Sequence, residues 1–492
     1  MQKIYTFLKS SDKTDFKYII FLLLLVISSK FFTLNLSYHW DENNYVYYAK
    51  YFSTYGFLSV PPKHDGHVPL FSWILAIFYK IFGESPFLSH LVVVFFSFLA
   101  TGFTFLSAKQ LFNKEIGIIA SILLFFSPTF FSISGQSLLD IPLIAFLMMT
   151  LYSFLKKNKL FYLLSASCLV LIKEPGIILI FVFIIYKIFK KDKFFVTLFY
   201  MIPVLIFFVW ETWYYTQTGY FGGEMKDLLI SHIFPNSGLM SLSTILKQFL
   251  TVIYQITFWN YEWILTFIII FAVLTHKNFF NSNVKFLLIL ILFYVIFFSF
   301  APLLPRYLLP IYPIFFIISA KSLYSMRKVR WIIFIIIIIL FISCYRWNWG
   351  LKGLIQDPVF HSTIFYPKII TSVRNGELSL DYMDIVELEK SAFDFIFANY
   401  KNSTMSSAFP FILTRNIGVI DISDRQWIKN NITVLYQINE ENIKKSNLVI
   451  IESYSGWYDG NKDRFSDIFS RLEVIKKFEK NGKILIIYKG EK

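Results

Sequence analysis

Long runs of apolar residues, separated by short polar and charged clusters, fill the first 346 positions of the chain. A helix that crosses a membrane needs about 20 apolar residues. By that criterion the pattern predicts about eleven spans, at 16–36, 88–108, 116–134, 138–155, 160–172, 175–189, 195–215, 254–275, 285–302, 307–321 and 331–346. The expected fold class is mainly α, with a polytopic integral membrane domain over residues 1–346.

The apolar run over 160–189 is interrupted at its centre by KEPG, residues 173–176. Both flanks are rich in lysine, so both are expected on the same side of the membrane, which requires a helical hairpin. Each arm is short, about 20 Å at 1.5 Å per residue, so the tip is recessed. Lys173 and Glu174 are then predicted at membrane depth, where an ion is costly and usually functional. Pro175 suits the start of the second arm.

Positive charge marks alternate connections between the predicted spans. The basic residues there are Lys109, Lys114, Lys156, Lys157, Lys159, Lys187, Lys190, Lys191, Lys193, Lys277, Lys285, Lys321, Arg327, Lys328 and Arg330. Cytoplasmic loops carry the excess of lysine and arginine, so these connections and the basic N-terminus are predicted to be cytoplasmic. The first span reads as a retained signal anchor. The long first loop over 37–87, and everything after residue 347, are predicted to be extracytoplasmic.

Composition agrees with this class. The chain is 56% hydrophobic and 20% aromatic, with a mean hydropathy of +0.57, which a soluble domain does not show. The net charge of +15 is explained by the topology signals and forms no interleaved basic and aromatic patch, so no nucleic-acid partner is expected. Both cysteines, Cys168 and Cys344, lie in apolar runs, which makes a disulfide improbable.

The composition changes after residue 347, where apolar runs shorten and charge rises. The stretch over 384–400 has the periodicity of an amphipathic helix. NLVIIES, over 447–453, and KILIIYK, over 483–489, have the composition of strands. A small extracytoplasmic α/β domain over 347–492 is therefore predicted. A role as a stabilising cap is favoured over acceptor recognition, because no chemical motif occurs in it.

Acids and cations converge on the predicted outer side of the membrane. They are Asp41, Glu42, Asp140, Lys173, Glu174 and Arg306. Each has an ordinary explanation: a solvated charge pair, a helix cap at Asp140 with Pro142 in the first turn, an ion pair at a turn, or an arginine reaching the interface. Their coincidence at one boundary favours a site for an anionic head group anchored in lipid.

The first outer loop contains two helical patterns. Tyr45, Tyr48 and Phe52 share one helical face, with Asp41 one turn earlier. The apolar stretch over 69–83 is too short for a confident span. Both are predicted to be amphipathic helices in the membrane interface, where tryptophan and tyrosine are common.

Five stretches of the chain, in this order, resemble the landmarks of the GT-C glycosyltransferases that use polyprenyl-phosphate donors. They are HWDENNYVYYAKYF, HVPLFSWILAIFYKIFGES, SGQSLLDIPLIAFLMMTLYSFL, LIKEPGIILI and PRYLLPIYPIFFIISA. The most similar branch contains the protein O-mannosyltransferases and the lipid A aminoarabinose transferases. The resemblance implies a catalytic acid in the first outer loop, a sugar donor linked to a polyprenyl phosphate, and transfer with inversion. A protein or glycolipid acceptor is expected, and a protein hydroxyl, a lipid A-like glycolipid and a cell-surface glycan all stay open.

The resemblance also assigns roles to the acids. Asp41 stands where the family keeps its acid after the first span, which implies the general base. Glu42 matches the second acid of that pair, and Asp140 matches the acid of the second outer loop. A base that takes the proton of an acceptor hydroxyl suits inverting transfer. The lipid phosphate is a good leaving group, so no acid must protonate it.

The cations match the family's donor contacts. Lys173 matches its lysine before proline, and Arg306 with Tyr307 matches its RY pair, which implies contact with the donor phosphate. His67 and Glu174 are expected to position the substrate. His67 stands in a stretch that resembles the family's (H/K)PPL motif. Here Val68 replaces the first proline, so the direction of the His67 side chain is left open.

Other possibilities stay open at this stage. A transporter or a flippase for lipid-linked sugars would also carry buried charges, although such proteins usually show paired broken helices in two related halves. A non-catalytic protein that binds lipid-linked sugar is a third class. SGWYDG, over 455–460, echoes an acceptor-reading motif of oligosaccharyltransferases, with one tryptophan missing. No cofactor is expected to be required, but a divalent cation between Asp41 and Glu42 is a competing use of that pair.

Overall fold

The computed structural model describes residues 13–39, 41–61, 66–219, 221, 230–231, 233–234, 240–258, 261–301, 305–347, 380, 382–407, 432–436, 438–452 and 470–492. Fifteen helices lie in the membrane domain as far as it is described: α1 Lys13–Lys30, α2 Glu42–Tyr55, α3 Leu70–Phe82, α4 Pro86–Leu111, α5 Lys114–Phe126, α6 Pro128–Ile133, α7 Asp140–Leu155, α8 Lys159–Ile172, α9 Gly176–Phe189, α10 Phe194–Thr218, α11 Leu242–Thr257, α12 Glu262–Thr275, α13 Ser282–Phe298, α14 Tyr312–Ser325 and α15 Arg330–Trp347. Short 3₁₀ turns at Phe31–Thr33, Pro305–Ile311 and Arg327–Val329 join them.

Five stretches of helix in the described part of the chain are long and apolar enough to cross a membrane: Thr14–Thr33, Pro86–Leu111, Phe194–Thr218, Arg306–Ser325 and Arg327–Tyr345. The bent pair of α11 and α12 adds a sixth if it counts as one span. Shorter apolar helices, of 10–17 residues, are α3, α7, α8, α9 and α13. The multi-pass class predicted from the sequence is confirmed at this level, and the exact number of eleven spans stays a prediction.

Two predicted spans are not continuous helices. The run over 116–134 breaks between α5 and α6 at Ser127 and Pro128, because proline has no N–H for the helix ladder and clashes with the preceding turn. The predicted span over 254–275 is wrong as a single helix, since α11 and α12 meet at 92°. Tyr261, the N-cap of α12, has a left-handed backbone with φ of 70°, which is not compatible with the interior of a right-handed helix.

The hairpin predicted over 160–189 is present, with α8 and α9 as its arms. Gly176 begins α9, and a Cβ there would lie 2.5 Å from the backbone oxygen of Leu169. The two arms therefore approach so closely that only glycine fits. This contact fixes the turn that carries Lys173 and Glu174.

Polar contacts fasten both ends of the helix bundle. At the end where α1 finishes, the fully buried Lys30 donates to the carbonyl of Phe131 and lies 3.2 Å from the centroid of that ring. At the opposite end the basic connections meet through several contacts: Lys109 with Asp15, Arg330 with Glu115 at 2.7 Å, and Lys321 with the Phe279 carbonyl at 2.7 Å. Three of the basic connections, at 109–114, 277–285 and 321–330, thus lie at one end of the bundle.

The C-terminal part combines helices with one five-stranded sheet among the described residues. Its elements are α16 Tyr382–Asn399, β1 Thr404–Ser407, β2 Thr433–Tyr436, α17 Glu440–Lys445, β3 Leu448–Glu452, β4 Val474–Lys480 and β5 Lys483–Lys489. The strand order is β2-β1-β3-β5-β4, with β1 parallel to β2 and β3, and β5 antiparallel to β3 and β4. The helix over 384–400 and the two strands predicted from the sequence are present. That this part forms a separate extracytoplasmic domain stays a prediction.

The first turns of α16 join the membrane domain instead of the sheet. Tyr382, Met383 and Val386 belong to the same apolar core as the helix bundle, and the Leu380 N–H donates to the carbonyl of Tyr345 at 2.7 Å. Farther along α16, Phe393 and neighbouring apolar residues pack on the sheet. One helix therefore connects the sheet to the bundle.

Replacing Gly176 with alanine tests the close approach of α8 and α9. We expect Gly176→Ala to lower the free energy of unfolding by about 1–3 kcal/mol, because the added methyl group meets backbone that cannot move aside. Gly102→Ala is the matched control, since nothing lies within 4 Å of a Cβ at that helical position. Thermal unfolding in detergent measures both, and equal melting temperatures for the two variants would contradict this packing.

Candidate active site

Four charged side chains from separate elements meet at the end of the bundle where α1 finishes. Arg306, on the 3₁₀ turn before α14, pairs with the Asp41 carboxylate at the start of α2. Its Nε also lies 3.8 Å from Oδ2 of Asp140. Lys173 Nζ lies 2.7 Å from the other oxygen, Oδ1, of Asp140. The four side chains carry two negative and two positive charges, so this cluster, the ion network, is neutral as a whole.

Burial makes the ion network costly to break. The side chains of Arg306, Lys173 and Asp140 are 6%, 6% and 3% exposed, whereas that of Asp41 is 23% exposed. Removing one partner of such a pair leaves a charge without compensation in a poorly solvated place. Asp41 is the one member of the network with an open path to solvent, so it is the acid that an incoming molecule can reach.

Tyr307 lies beneath the two cations. Lys173 Nζ is 4.3 Å and the Arg306 guanidinium carbon 5.6 Å from the centroid of its ring. The carbonyl of Tyr307 accepts a hydrogen bond of 2.7 Å from Tyr294 on α13. An aromatic face stabilises a partly desolvated cation, so this ring holds both cations beside the carboxylates.

His67 and Glu174 form a second pair next to the ion network. His67 Nδ1 lies 3.0 Å from Oε1 of Glu174, and the Val68 N–H donates to that same oxygen at 3.3 Å. The side chain of Glu174 at the hairpin tip is therefore bonded to the stretch before α3. Val68, in place of the expected proline, supplies an N–H that proline lacks. The direction of His67, left open by the sequence, is toward Glu174.

Glu42 points away from the ion network and into the bundle. Its side chain is 1% exposed, and its Oε1 lies 2.9 Å from Nε2 of His90 on α4. The Ser137 N–H also donates to Oε1, and the His39 N–H donates to Oε2 at 2.7 Å. Asp41 and Glu42 are adjacent in the chain, but their side chains thus have different surroundings. The prediction that Glu42 takes part in the chemistry stays untested.

The helix cap predicted at Asp140 is not formed. Leu139 is the N-cap of α7, and no side chain caps the helix. The Asp140 carboxylate is instead taken up by Lys173 and Arg306, which bind it as ions and so outweigh a neutral N–H donor. Sequence reasoning also missed His90, whose one signal was a lone histidine in an apolar helix.

The two helices predicted in the first outer loop are present as α2 and α3. Tyr45, Tyr48 and Phe52 are all buried, on one face of α2. The hydroxyl of Ser72 on α3 donates to the carbonyl of Tyr45 at 3.0 Å. The loop is thus packed onto the bundle, and it presents Asp41 from the start of α2. Position in a membrane interface stays a prediction, and SGWYDG at 455–460 lies outside the described residues.

Comparison with known proteins agrees with the resemblance found in the sequence. A family model described as dolichyl-phosphate-mannose-protein mannosyltransferase matches residues 66–215. The crystal structure of ArnT from Cupriavidus metallidurans bound to undecaprenyl phosphate matches with a TM-score of 0.58 at 12% identity, over 96% of this chain and 98% of that chain. The apo structure of the same protein matches with a TM-score of 0.57 at 12% identity and the same coverage. No curated protein matches by sequence.

These matches show the fold. The chain folds like ArnT over nearly its whole length, and the predicted resemblance to the polyprenyl-phosphate-dependent GT-C glycosyltransferases is confirmed. At 12% identity the likeness carries no residue roles, so those assigned to Asp41, Glu42, Asp140, Lys173, Arg306, Tyr307, His67 and Glu174 stay predictions.

Removing one member of the buried pair tests the ion network. We expect Lys173→Met to lower the free energy of unfolding by about 3–5 kcal/mol, because Asp140 loses its nearer cation. The double variant Lys173→Met/Asp140→Asn should recover much of that loss. Lys187→Met is the control, since Lys187 pairs with Asp192 at 2.9 Å in a more exposed place and should cost about 1 kcal/mol or less. Unfolding in detergent measures all three. A double variant less stable than Lys173→Met would be inconsistent with the pairing.

His39 makes the segment before α2 sensitive to acid. Burial lowers the pKa of its imidazole to about 4, against the opposing effects of Glu42 and Asp41, so the ring is neutral at pH 7. The unfolded chain binds this proton already near pH 6.5, so the contribution of His39 to stability falls as the pH drops from about 6.5 to about 4, by up to roughly 3 kcal/mol.

We expect His39→Phe to lose less stability than the wild type over that interval. Phenylalanine keeps the aromatic ring that stacks on Tyr382, where the centroids are 6.0 Å apart, and the backbone N–H that binds Glu42 is unchanged. Denaturant unfolding at pH 7, 5.5 and 4.5 gives the comparison. Parallel curves for both proteins would show that another group causes the acid sensitivity.

Proposed function

We propose that the protein is a membrane glycosyltransferase that moves a sugar from a polyprenyl-phosphate donor to an acceptor hydroxyl. Transfer takes place at the outer face of the membrane, with inversion at the anomeric carbon and with Asp41 as the general base. One observation carries the proposal: the ion network brings two carboxylates and two cations together in a chain that folds like ArnT. The crystallised ArnT was bound to undecaprenyl phosphate, which is the chemistry we propose for the donor here.

The cations suit the donor phosphate. Arg306 presents a planar set of donors that matches phosphate oxygens in pairs, and Lys173 adds a point charge. Both are held over Tyr307. Negative charge grows on the phosphate as the bond to the sugar breaks, and cations already in place stabilise it without reorganising. Since the phosphate leaves readily, these residues need donate no proton to it.

Asp41 suits the base because of its exposure and its partner. Its carboxylate reaches solvent, whereas those of Glu42 and Asp140 do not. In the structure Arg306 binds Asp41. A donor phosphate that binds Arg306 competes with this pair and frees the carboxylate to accept the acceptor's proton. The base is then available only when the donor is present, which protects the donor from premature attack by water.

Asp140 keeps both cations in position. Its two oxygens face Lys173 and Arg306, so it holds the cations even after Asp41 has been released. His67 and Glu174 border the same space from the hairpin tip and are proposed to position the sugar. Direct attack from the side opposite the phosphate inverts the anomeric carbon and requires no covalent intermediate. We propose that no metal ion is required.

The first test is transfer from labelled polyprenyl-phosphate sugars by membranes that contain the wild type or Asp41→Asn. A small panel of sugars is offered, and label is counted separately in lipid and protein fractions to identify the acceptor class. We expect the variant to be at least about a hundredfold slower, or roughly 3 kcal/mol in the barrier, with donor binding retained. Chelation with EDTA should leave the wild-type rate unchanged.

Asp192→Asn is the control for this test, because Asp192 is likewise a partly exposed aspartate paired with a cation but lies away from the site. Transfer at equal rates by wild type and Asp41→Asn would remove Asp41 as the base. Transbilayer movement of the labelled donor, without transfer by either protein, would favour a flippase.

A further inference from the structure

We infer that His90, acting through Glu42, is a positioning residue that sets the place of the Asp41 carboxylate. This inference rests on the proposed function, because it assigns a role in delivering the base. It assigns Glu42 a role in holding the chain in place, instead of the catalytic role that was predicted from the sequence. Glu42 is too buried to meet an acceptor, and its neighbours in the fold show what it does instead.

Glu42 joins three separate parts of the chain. Its carboxylate accepts from the N–H of His39, in the link before α2, and from the N–H of Ser137, in the link before α7. It also contacts His90 on α4. The two links lead directly to Asp41 and Asp140. One buried carboxylate therefore sets the spacing between the chain segments that carry both acids of the ion network.

Both ring nitrogens of His90 have a partner in the segment around Asp41. Its Nδ1 lies 3.2 Å from the carbonyl of Leu34, which can only accept, so Nδ1 carries a proton and donates. Its Nε2 lies 2.9 Å from Oε1 of Glu42. The two contacts reach positions on either side of the link that leads to Asp41, so one side chain holds this link at two points.

The His90 side chain fastens the segment before Asp41 to α4. Through Leu34 and Glu42, His90 holds residues on both sides of the link over 34–41. Ser89 adds a contact, since its hydroxyl lies 2.8 Å from that of Tyr38, and the rings of Tyr38 and His90 meet edge to face at 5.7 Å. Since α4 packs along α7, and α7 contacts the 3₁₀ turn that carries Arg306, this anchor keeps Asp41 beside Arg306. Without this anchor the Asp41 carboxylate could still accept a proton, but it would no longer be held beside Arg306.

Two amide replacements of His90 separate its two hydrogen bonds. The amide nitrogen of glutamine lies near the position of Nε2, so His90→Gln keeps the donor to Glu42. The amide nitrogen of asparagine lies near that of Nδ1, so His90→Asn keeps the donor to Leu34 and leaves Glu42 without this partner. Thr104→Val is the control, since Thr104 is buried on the same helix and bonds only the carbonyl of Ala100.

We expect His90→Asn to lower kcat by about 10–100-fold with the KM for the donor nearly unchanged, because misplacing a base by about 1 Å costs on that order. His90→Gln should recover most of that loss. The double variant His90→Asn/Glu42→Gln should be no slower than the slower single variant, because the two residues act as one unit. Rates are measured per folded protein, counted by donor binding.

Several outcomes would overturn this inference. One is a wild-type kcat in His90→Asn with only a lower melting temperature, which indicates a purely structural role. A second is His90→Gln slower than His90→Asn, and a third is additive losses in the double variant. If His90→Asn does not fold, Glu42→Gln and His90→Gln still give the comparison. Wild-type transfer that is lost in Asp41→Asn but kept in His90→Asn would reject this role alone, whereas no transfer by the wild type would reject the proposed function.

Discussion

The ion pair between Asp140 and Lys173 is the interaction on which the site depends. Asp140 begins one helix, and Lys173 ends another at the tip of a hairpin, yet their side chains meet at 2.7 Å with almost no exposure. Neither charge is tolerable there alone, because desolvation of a single ion costs several kcal/mol. Arg306 then needs a second carboxylate beyond Asp140, and Asp41 supplies it. Charge balance thus requires the first loop, α7, the hairpin and the turn before α14 to meet.

This balance also explains why Asp41 and Glu42 differ although they are neighbours in the chain. Successive residues at the start of a helix point in different directions, about 100° apart at 3.6 residues per turn. Asp41 faces Arg306 and solvent, whereas Glu42 faces His90 and two backbone N–H groups. The Glu42 carboxylate has three partners inside the bundle, whereas that of Asp41 is partly exposed. Two adjacent acids of one sequence motif thus have different surroundings, which the motif alone cannot show.

Hydrophobic pattern and charge predicted much of this arrangement. Apolar runs located most helices, and lysine-rich flanks on both sides of KEPG required the hairpin that the structure has. The same reasoning failed where local backbone geometry outweighs the average hydrophobicity of a run. Pro128 divides one predicted span, and a second is divided into α11 and α12, which meet at 92°, with the left-handed Tyr261 as the N-cap of α12. It failed again at Asp140, where local rules favour a helix cap. The position of the Asp140 side chain is set by Lys173, which lies 33 residues away in the chain. Local sequence rules do not identify partners at such a distance. His90 was missed for the same reason, since its partners Leu34 and Glu42 lie 56 and 48 residues away.

The C-terminal part is connected to the candidate site through contacts with the segment before Asp41. Tyr382 at the start of α16 stacks on His39, and the adjacent Leu380 bonds the end of α15. His39 also donates its N–H to Glu42. The link that holds Asp41 is therefore covered by the first turn of the helix whose other end supports the sheet. Contacts of this kind suit the role of a stabilising cap that was predicted for the C-terminal part, because they hold the segment before Asp41 without forming part of the ion network. A movement of the sheet that tilts α16 would therefore be felt at the segment before Asp41, through the ring of Tyr382 that stacks on His39.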